Sequence, residues 1–306
     1  MYCTYNYYLD CSWGVNMYLA VAGACAEQEA NAVTPVTYSL AALSFDSATT
    51  HTLATVTDWL MSPTEYIAAD ESGATETIRS YPFAGSPITF PSATATISVS
   101  TQNPRAICWG DNGKYLYIAG NATPRLQQIT LSTLYALSTA SPSTPSTTTP
   151  SWGAQGIHFN DIGDTFFAVE SGNVRVCAPV SLWDISTFTV TSTVSLSSQI
   201  DSDGNAMGSN FTGLRFDPTG TKMFICYRNS NGTAANTINH SKVAEFSLST
   251  AWDITTRAFV QSISLHPHLG LDGSGYPDLV GGLAWDSTGT QLIVGGYSAK
   301  QIVLFS

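Results

Sequence analysis

Three groups of residues have the type and spacing to do chemistry. Asp201-Ser-Asp203-Gly-Asn205 alternates side-chain oxygen donors as calcium loops do, so that two carboxylates and an amide converge on one hard cation. A calcium ion held by Asp201, Asp203 and Asn205 is therefore one expectation. Thr212 stands where the closing glutamate of an EF-hand would be, and a solvated Asp/Gly turn is the alternative. His266-Pro-His268 sets two imidazoles on either side of a rigid proline, which suits either a metal or a polar loop. Cys3 opens one expected strand and Cys25 closes its neighbour on the same face, so a disulfide between them is sterically open. Cys108, Cys177 and Cys226 fall inside apolar strands, which predicts buried thiols.

Signatures of catalysis are missing from the sequence. It has no G-x-S-x-G elbow, no H-E-x-x-H and no phosphate-binding glycine loop. Asp217 and Asp286 lack the serine and tryptophan of a sialidase-like Asp box. With 22 acidic against 11 basic residues the net charge is −11. A phosphate backbone or an anionic membrane would be repelled, so neither nucleic acid nor membrane is an expected partner. The apolar run Met17 to Ala26 is too short to span a bilayer. No Lys or Arg precedes it, and a strand is expected there rather than a leader peptide anchored through Cys25.

The elements that must position these residues are short strands. Only 11% of the 306 residues are charged while 43% are apolar, a balance that disfavours long amphipathic helices. One unit recurs. Its clearest copy is Phe211-Thr-Gly-Leu-Arg-Phe-Asp-Pro-Thr-Gly-Thr-Lys-Met-Phe-Ile-Cys-Tyr, a hairpin around a tight Asp-Pro-Thr-Gly turn. A third strand from Lys242, a Trp252-Asp253 turn and an alternating fourth strand from Ala258 complete it. Further hairpins start near Gly281, Gly156 and Arg105, and a degenerate one runs from Tyr8. Tyr38 to Asp46 reads as the third strand and turn of that N-terminal copy. Turn glycines Gly14 and Gly113 lie about two periods apart, which places one more copy between them.

Six copies at a roughly fifty-residue period predict an all-β, six-bladed β-propeller of four-stranded antiparallel blades, a single domain over 1–306. The blades fall near 1–58, 59–100, 101–140, 152–198, 210–265 and 280–306. The last copy stops at its third strand, Gln301 to Ser306, so an unpaired outer edge is expected there. Strand direction assigns the insertions Ser138–Ser151, Gln199–Asn210, Asn229–Ser241 and His266–Leu279 to one face. That face, with His240, His266, His268, Asp272, Tyr276 and Asp278, is the expected binding surface. Trp109, Trp183, Trp252 and Trp285 occupy recurring positions and read as blade packing.

The unit F-x-P-D/T-G-T-K-M-F/Y-I followed by S-L-S-T-A-W-D-I-S/T-T, fullest here over Phe216 to Thr256, resembles repeats of tailed-phage virion proteins and phage-like bacterial propellers. The resemblance implies a non-catalytic structural or binding protein at a virion surface or tail, in a virion or extracellular setting. Its implied partners are other virion proteins, copies of itself, or a host-surface glycan or receptor. It brings no catalytic residues. The alternative is a secreted, lactonase-like propeller hydrolase with a metal in its central channel. That enzyme needs acidic or His residues at the channel-lining strand starts, which here read Thr212-Gly, Gly281-Gly, Gln155-Gly and Pro104-Arg.

Overall fold

A computed structural model describes residues 38–50, 56–70, 76–82, 92–99, 103–141, 146–228, 241–265, 268–269, 280–296 and 301–306. These residues belong to a compact unit, Thr37–Ser306, distinct from Met1–Val36. They form five four-stranded antiparallel sheets. Blade one is β2 (Val56–Met61), β3 (Glu65–Asp70), β4 (Thr77–Pro82) and β5 (Ala95–Ser98). Blade two is β6 (Pro104–Gly110), β7 (Tyr115–Gly120), β8 (Leu126–Thr130) and β9 (Ser146–Thr148). Blade three is β10 (Gly156–Phe159), β11 (Phe166–Glu170), β12 (Asn173–Pro179) and β13 (Phe188–Ser195). Blade four is β14 (Asn210–Phe216), β15 (Lys222–Arg228), β16 (Ser241–Leu248) and β17 (Arg257–Ser264). Blade five is β18 (Val280–Trp285), β19 (Leu292–Gly296), β20 (Gln301–Phe305) and, from the other end of the chain, β1 (Phe45–Thr50).

The first strands neighbour one another in the cyclic order β2, β6, β10, β14, β18 and back to β2, so the ring closes at five blades. Each blade boundary carries its own apolar cluster. Leu60 and Ile67 meet Ile107 and Leu116 between blades one and two. Tyr117 meets Ile157 and Phe166 between blades two and three, and Phe167 and Val169 meet Phe211, Leu214 and Met223 between three and four. Phe224 and Val243 meet Leu283 and Val303 between four and five, and Trp59 and Tyr66 meet Ile293 and Leu304 across the closure. Because both faces of the inner strands are covered, they read as continuous apolar runs, as Met223–Tyr227 does. Outer strands such as β13 are exposed or half-buried along their whole length.

The expectation of six blades is corrected to five, and the expected open edge does not exist. Phe45–Thr50 is not the tail of an N-terminal blade; it pairs antiparallel with Gln301–Phe305 as the missing fourth strand. Tyr38 to Ala42 is likewise not a third strand. Leu40–Ala42 forms the 3-10 turn that Leu137–Thr139 and Ile254–Thr256 form in blades two and four, each burying its first side chain. One repeat unit is thus split between the two ends of the described chain. The closing segment is fastened to blade four by Glu245, which is buried. One carboxylate oxygen accepts Lys222 Nζ at 2.9 Å; the other accepts the Leu40 amide and Gln261 Nε2, each at 2.9 Å. Lys222 Nζ also donates to the Tyr38 carbonyl. The degenerate hairpin from Tyr8, with Cys3 and Cys25, lies outside the described residues.

Local chemistry explains the repeated turn. Gly220 N–H donates to the Asp217 carbonyl at 3.0 Å and Lys222 N–H to the Asp217 carboxylate at 2.7 Å. Gly220 has φ +68, and a Cβ there would lie 2.2 Å from the Trp252 ring. Trp252 N–H in turn donates to the Gly220 carbonyl at 2.9 Å. Trp183 on Gly163 and Tyr135 on Gly113 repeat this arrangement, which identifies these aromatics as packing groups.

Candidate functional site

The site is the central axis, which the five first strands surround. Four of them carry a bulge near their start, at Thr57, Arg105, Thr212 and Gly281. A bulge leaves one residue out of the ladder and re-aims its side chain. These residues, with Gln155 of blade three, line the mouth of a cavity of about 380 Å³ on the face reached by the fourth-to-first and second-to-third connections. Arg228, Ser171 and Asn210 complete much of its wall. Two arginines therefore stand in a mouth otherwise lined by neutral groups, on a chain whose net charge is −11. Among the described residues, the buried Thr212 hydroxyl and the Arg228 Nε find no hydrogen-bond partner.

One step deeper, a buried ion pair closes the axis. Arg215 Nη2 donates to Asp58 Oδ2 at 2.8 Å, to the Trp59 carbonyl at 2.8 Å and to the Ile107 carbonyl at 3.1 Å. Its Nη1 donates to the Leu214 carbonyl at 2.7 Å and to that of Ile157 at 3.4 Å. One guanidinium thereby ties blade four to blades one, two and three. Asp58 also accepts the Trp59 and Ile107 amides, each at 2.8 Å. Burial pushes its carboxyl above the ordinary value, while Arg215 and the two amides pull the other way. At the matching position the other blades carry Ala106, Gly156, Gly213 and Gly282. A Cβ on Gly282 would fall 2.0 Å from Asp58 Oδ1, so glycine is what admits the carboxylate.

Below the pair, a second cavity of about 550 Å³ opens on the face of the short turns. His158, Arg215 and Cys108 stand in it together with Leu60, Trp109 and Trp285. Burial, reinforced by the Arg215 charge, lowers the His158 pKa to about 3, so its imidazole is neutral at physiological pH. Burial pushes the Cys108 thiol up to about 12, which leaves it without nucleophilic thiolate.

No family model matches the chain, and no curated protein does. Solved structures do resemble it. The glutaminyl cyclase of Myxococcus xanthus is 12% identical, with a TM-score of 0.56 over 86% of this chain and 95% of that one. The hydrazine synthase of Kuenenia stuttgartiensis is 15% identical with a TM-score of 0.47, over 81% of this chain and 75% of that one. A nidogen/laminin complex gives 17% and 0.48, over 77% and 71%. At these identities only the first likeness carries weight, and it concerns the fold.

The described sequence-derived candidates are the 201–205 turn and His268. Asp201 Oδ1 caps its own turn, accepting the Asp203 and Asn205 amides at 2.9 and 3.0 Å. Its Oδ2 accepts Lys242 Nζ at 2.6 Å and the Tyr227 hydroxyl at 3.0 Å, while Lys242 also reaches Asp203 at 2.6 Å. Burial works against the Asp201 charge, but the Lys242 ammonium, the Asn205 amide and Tyr227 outweigh it and hold the carboxyl below its ordinary value. The buried Lys242 ammonium thus places a positive charge against both carboxylates of the expected calcium loop. His268 stacks on Phe45, ring centroids 4.2 Å apart, and meets Phe305 edge-on. His240, His266, Asp272, Tyr276 and Asp278 lie outside the described residues. Of the four insertions, Ser138–Ser151 does not lie wholly on the expected face: it contains β9 and so divides between both faces. Cys108, Cys177 and Cys226 are buried free thiols, as expected.

Sequence reasoning picked out Gln155, Thr212, Gly281 and Arg105 as channel-lining but missed the Arg215–Asp58 pair. Arg215 breaks an otherwise apolar inward pattern in Phe211–Phe216, and that was the available signal.

Proposed function

We propose that this chain is a non-catalytic binding propeller of a phage-type particle, presenting the long-loop face for host attachment or assembly contacts. The observation that carries this reading is the axis. Its central carboxylate and the two terminal guanidinium nitrogens are committed to each other and to the backbone of four blades, while the mouth above them offers Arg228 and neutral hydrogen-bonding groups. A cationic mouth on an acidic protein favours an acidic partner group, such as the carboxylate of a surface glycan or of a neighbouring chain. The virion setting comes from the repeat resemblance. A channel-metal hydrolase would place several ligands at the first-strand positions where this chain has Asp58, Ala106, Gly156, Gly213 and Gly282.

The test is immunogold electron microscopy of particles purified from the source culture, using antibody raised against the chain. Periodic label on particles supports the reading. Label confined to the particle-free supernatant contradicts it.

A further inference from the structure

The short-turn face holds a second cavity that the reading above does not use. Its walls are largely apolar and aromatic, from Leu60, Trp109, Phe216 and Trp285, and its volume of about 550 Å³ suits a small molecule. Three residues of these walls each carry a polar atom that is buried without a partner among the described residues: Arg215 Nε, His158 Nδ1 and Trp285 Nε1. Buried donors of this kind are almost always satisfied, because an orphaned one costs about 1–3 kcal/mol. Arg215 is only 5% exposed, and its other two nitrogens are taken up by Asp58 and backbone carbonyls. Its remaining N–H and the indole N–H both call for an oxygen acceptor. His158 stacks on Trp252 and packs at a tilt against Phe216, so it is a fixed polar group and not a mobile one.

We propose that this cavity binds a planar aromatic ligand bearing an oxygen acceptor, a carboxylate or a carbonyl, at its inner end. The rings fill the space between the tryptophans and Phe216. The acceptor takes the Arg215 Nε–H and the Trp285 Nε1–H. Met61, Ser287 and Thr288 stand at the turn end of the same cavity, beside Tyr38, whose hydroxyl donates to the Ser287 carbonyl at 3.1 Å. The proposal does not depend on the virion reading, since it concerns the opposite face.

The experiment titrates the full chain with 2-naphthoate by calorimetry and by tryptophan quenching. The comparison ligand is 2-naphthylmethylammonium, which has the same rings and no acceptor. Saturable one-to-one binding of 2-naphthoate is expected, with the ammonium compound at least about tenfold weaker. Trp285→Phe keeps the ring and removes the donor, and should weaken 2-naphthoate about fivefold. Ser287→Trp, at an exposed turn position, should abolish binding without moving the melting temperature. Should that variant not fold, the Trp285→Phe result decides. Lack of saturable 2-naphthoate binding, equal binding of the two compounds, or full binding by folded Ser287→Trp would each overturn the proposal.

Discussion

Replacing Asp58 by Asn removes the only carboxylate bonded to Arg215 among the described residues while keeping nearly the same shape. The carboxylate is fully buried and its partner guanidinium side chain is 6% exposed, so the variant leaves a cation without its counter-ion inside the ring. Breaking a buried pair in this way costs about 3–5 kcal/mol, against a total of about 5–15 kcal/mol for a typical domain. One amide, at Trp59 or Ile107, also loses an anionic acceptor, which adds roughly 1 kcal/mol. Asp58→Asn should therefore lie near the edge of stability. Arg215→Met in the same background removes the stranded charge, and the double variant should recover about 2–4 kcal/mol over Asp58→Asn. Urea unfolding at pH 7 followed by tryptophan fluorescence measures all four corners of the cycle. A double variant as unstable as the sum of the two single losses would refute the coupling, and with it the idea that this pair locks four blades together.

Other consequences are open to the same kind of measurement. His158 binds its proton less readily in the fold, at about 3 against an ordinary 6.5, so folding stability should fall as pH drops from about 6.5 towards 3. Relative to His158→Phe, the native chain should lose about 2–3 kcal/mol between pH 7 and pH 4.5, read from urea midpoints. Glu245→Ala strands Lys222 and the Leu40 amide at the closing segment, and should cost about 3–5 kcal/mol and raise proteolytic nicking between residues 38 and 50. Gly282→Ala puts a methyl group into the Asp58 carboxylate and should lower stability by at least about 2 kcal/mol in the same assay. Because the Lys242 ammonium bridges Asp201 and Asp203, calcium and chelator should leave the melting temperature of the native chain unchanged.

The blades themselves were legible wherever the repeat stays close to its full form. Phe211–Tyr227 announces a hairpin through its Asp-Pro-Thr-Gly turn, and Trp252 announces the next turn by its spacing. The number of blades was not legible, because it depends on pairing at long range. Phe45–Thr50 is short and polar, and nothing near it in sequence reveals that its partner is Gln301–Phe305. The same separation hid the axial pair. Arg215 lies 157 residues from Asp58, and Asp58 sits in the blade with the faintest repeat. The alternating Asp/Asn pattern at 201–205 was a true turn signal, and its electrostatics were completed by Lys242 from a neighbouring strand that sequence spacing could not place.

Cryo-electron microscopy of the particle or assembly that carries this chain tests the functional reading most directly. That reading predicts a five-bladed ring in a repeated array on the particle, with the Arg105 and Arg228 mouth facing outward to a ligand or against a neighbouring chain. A free soluble monomer with a metal seated in the central axis would contradict it.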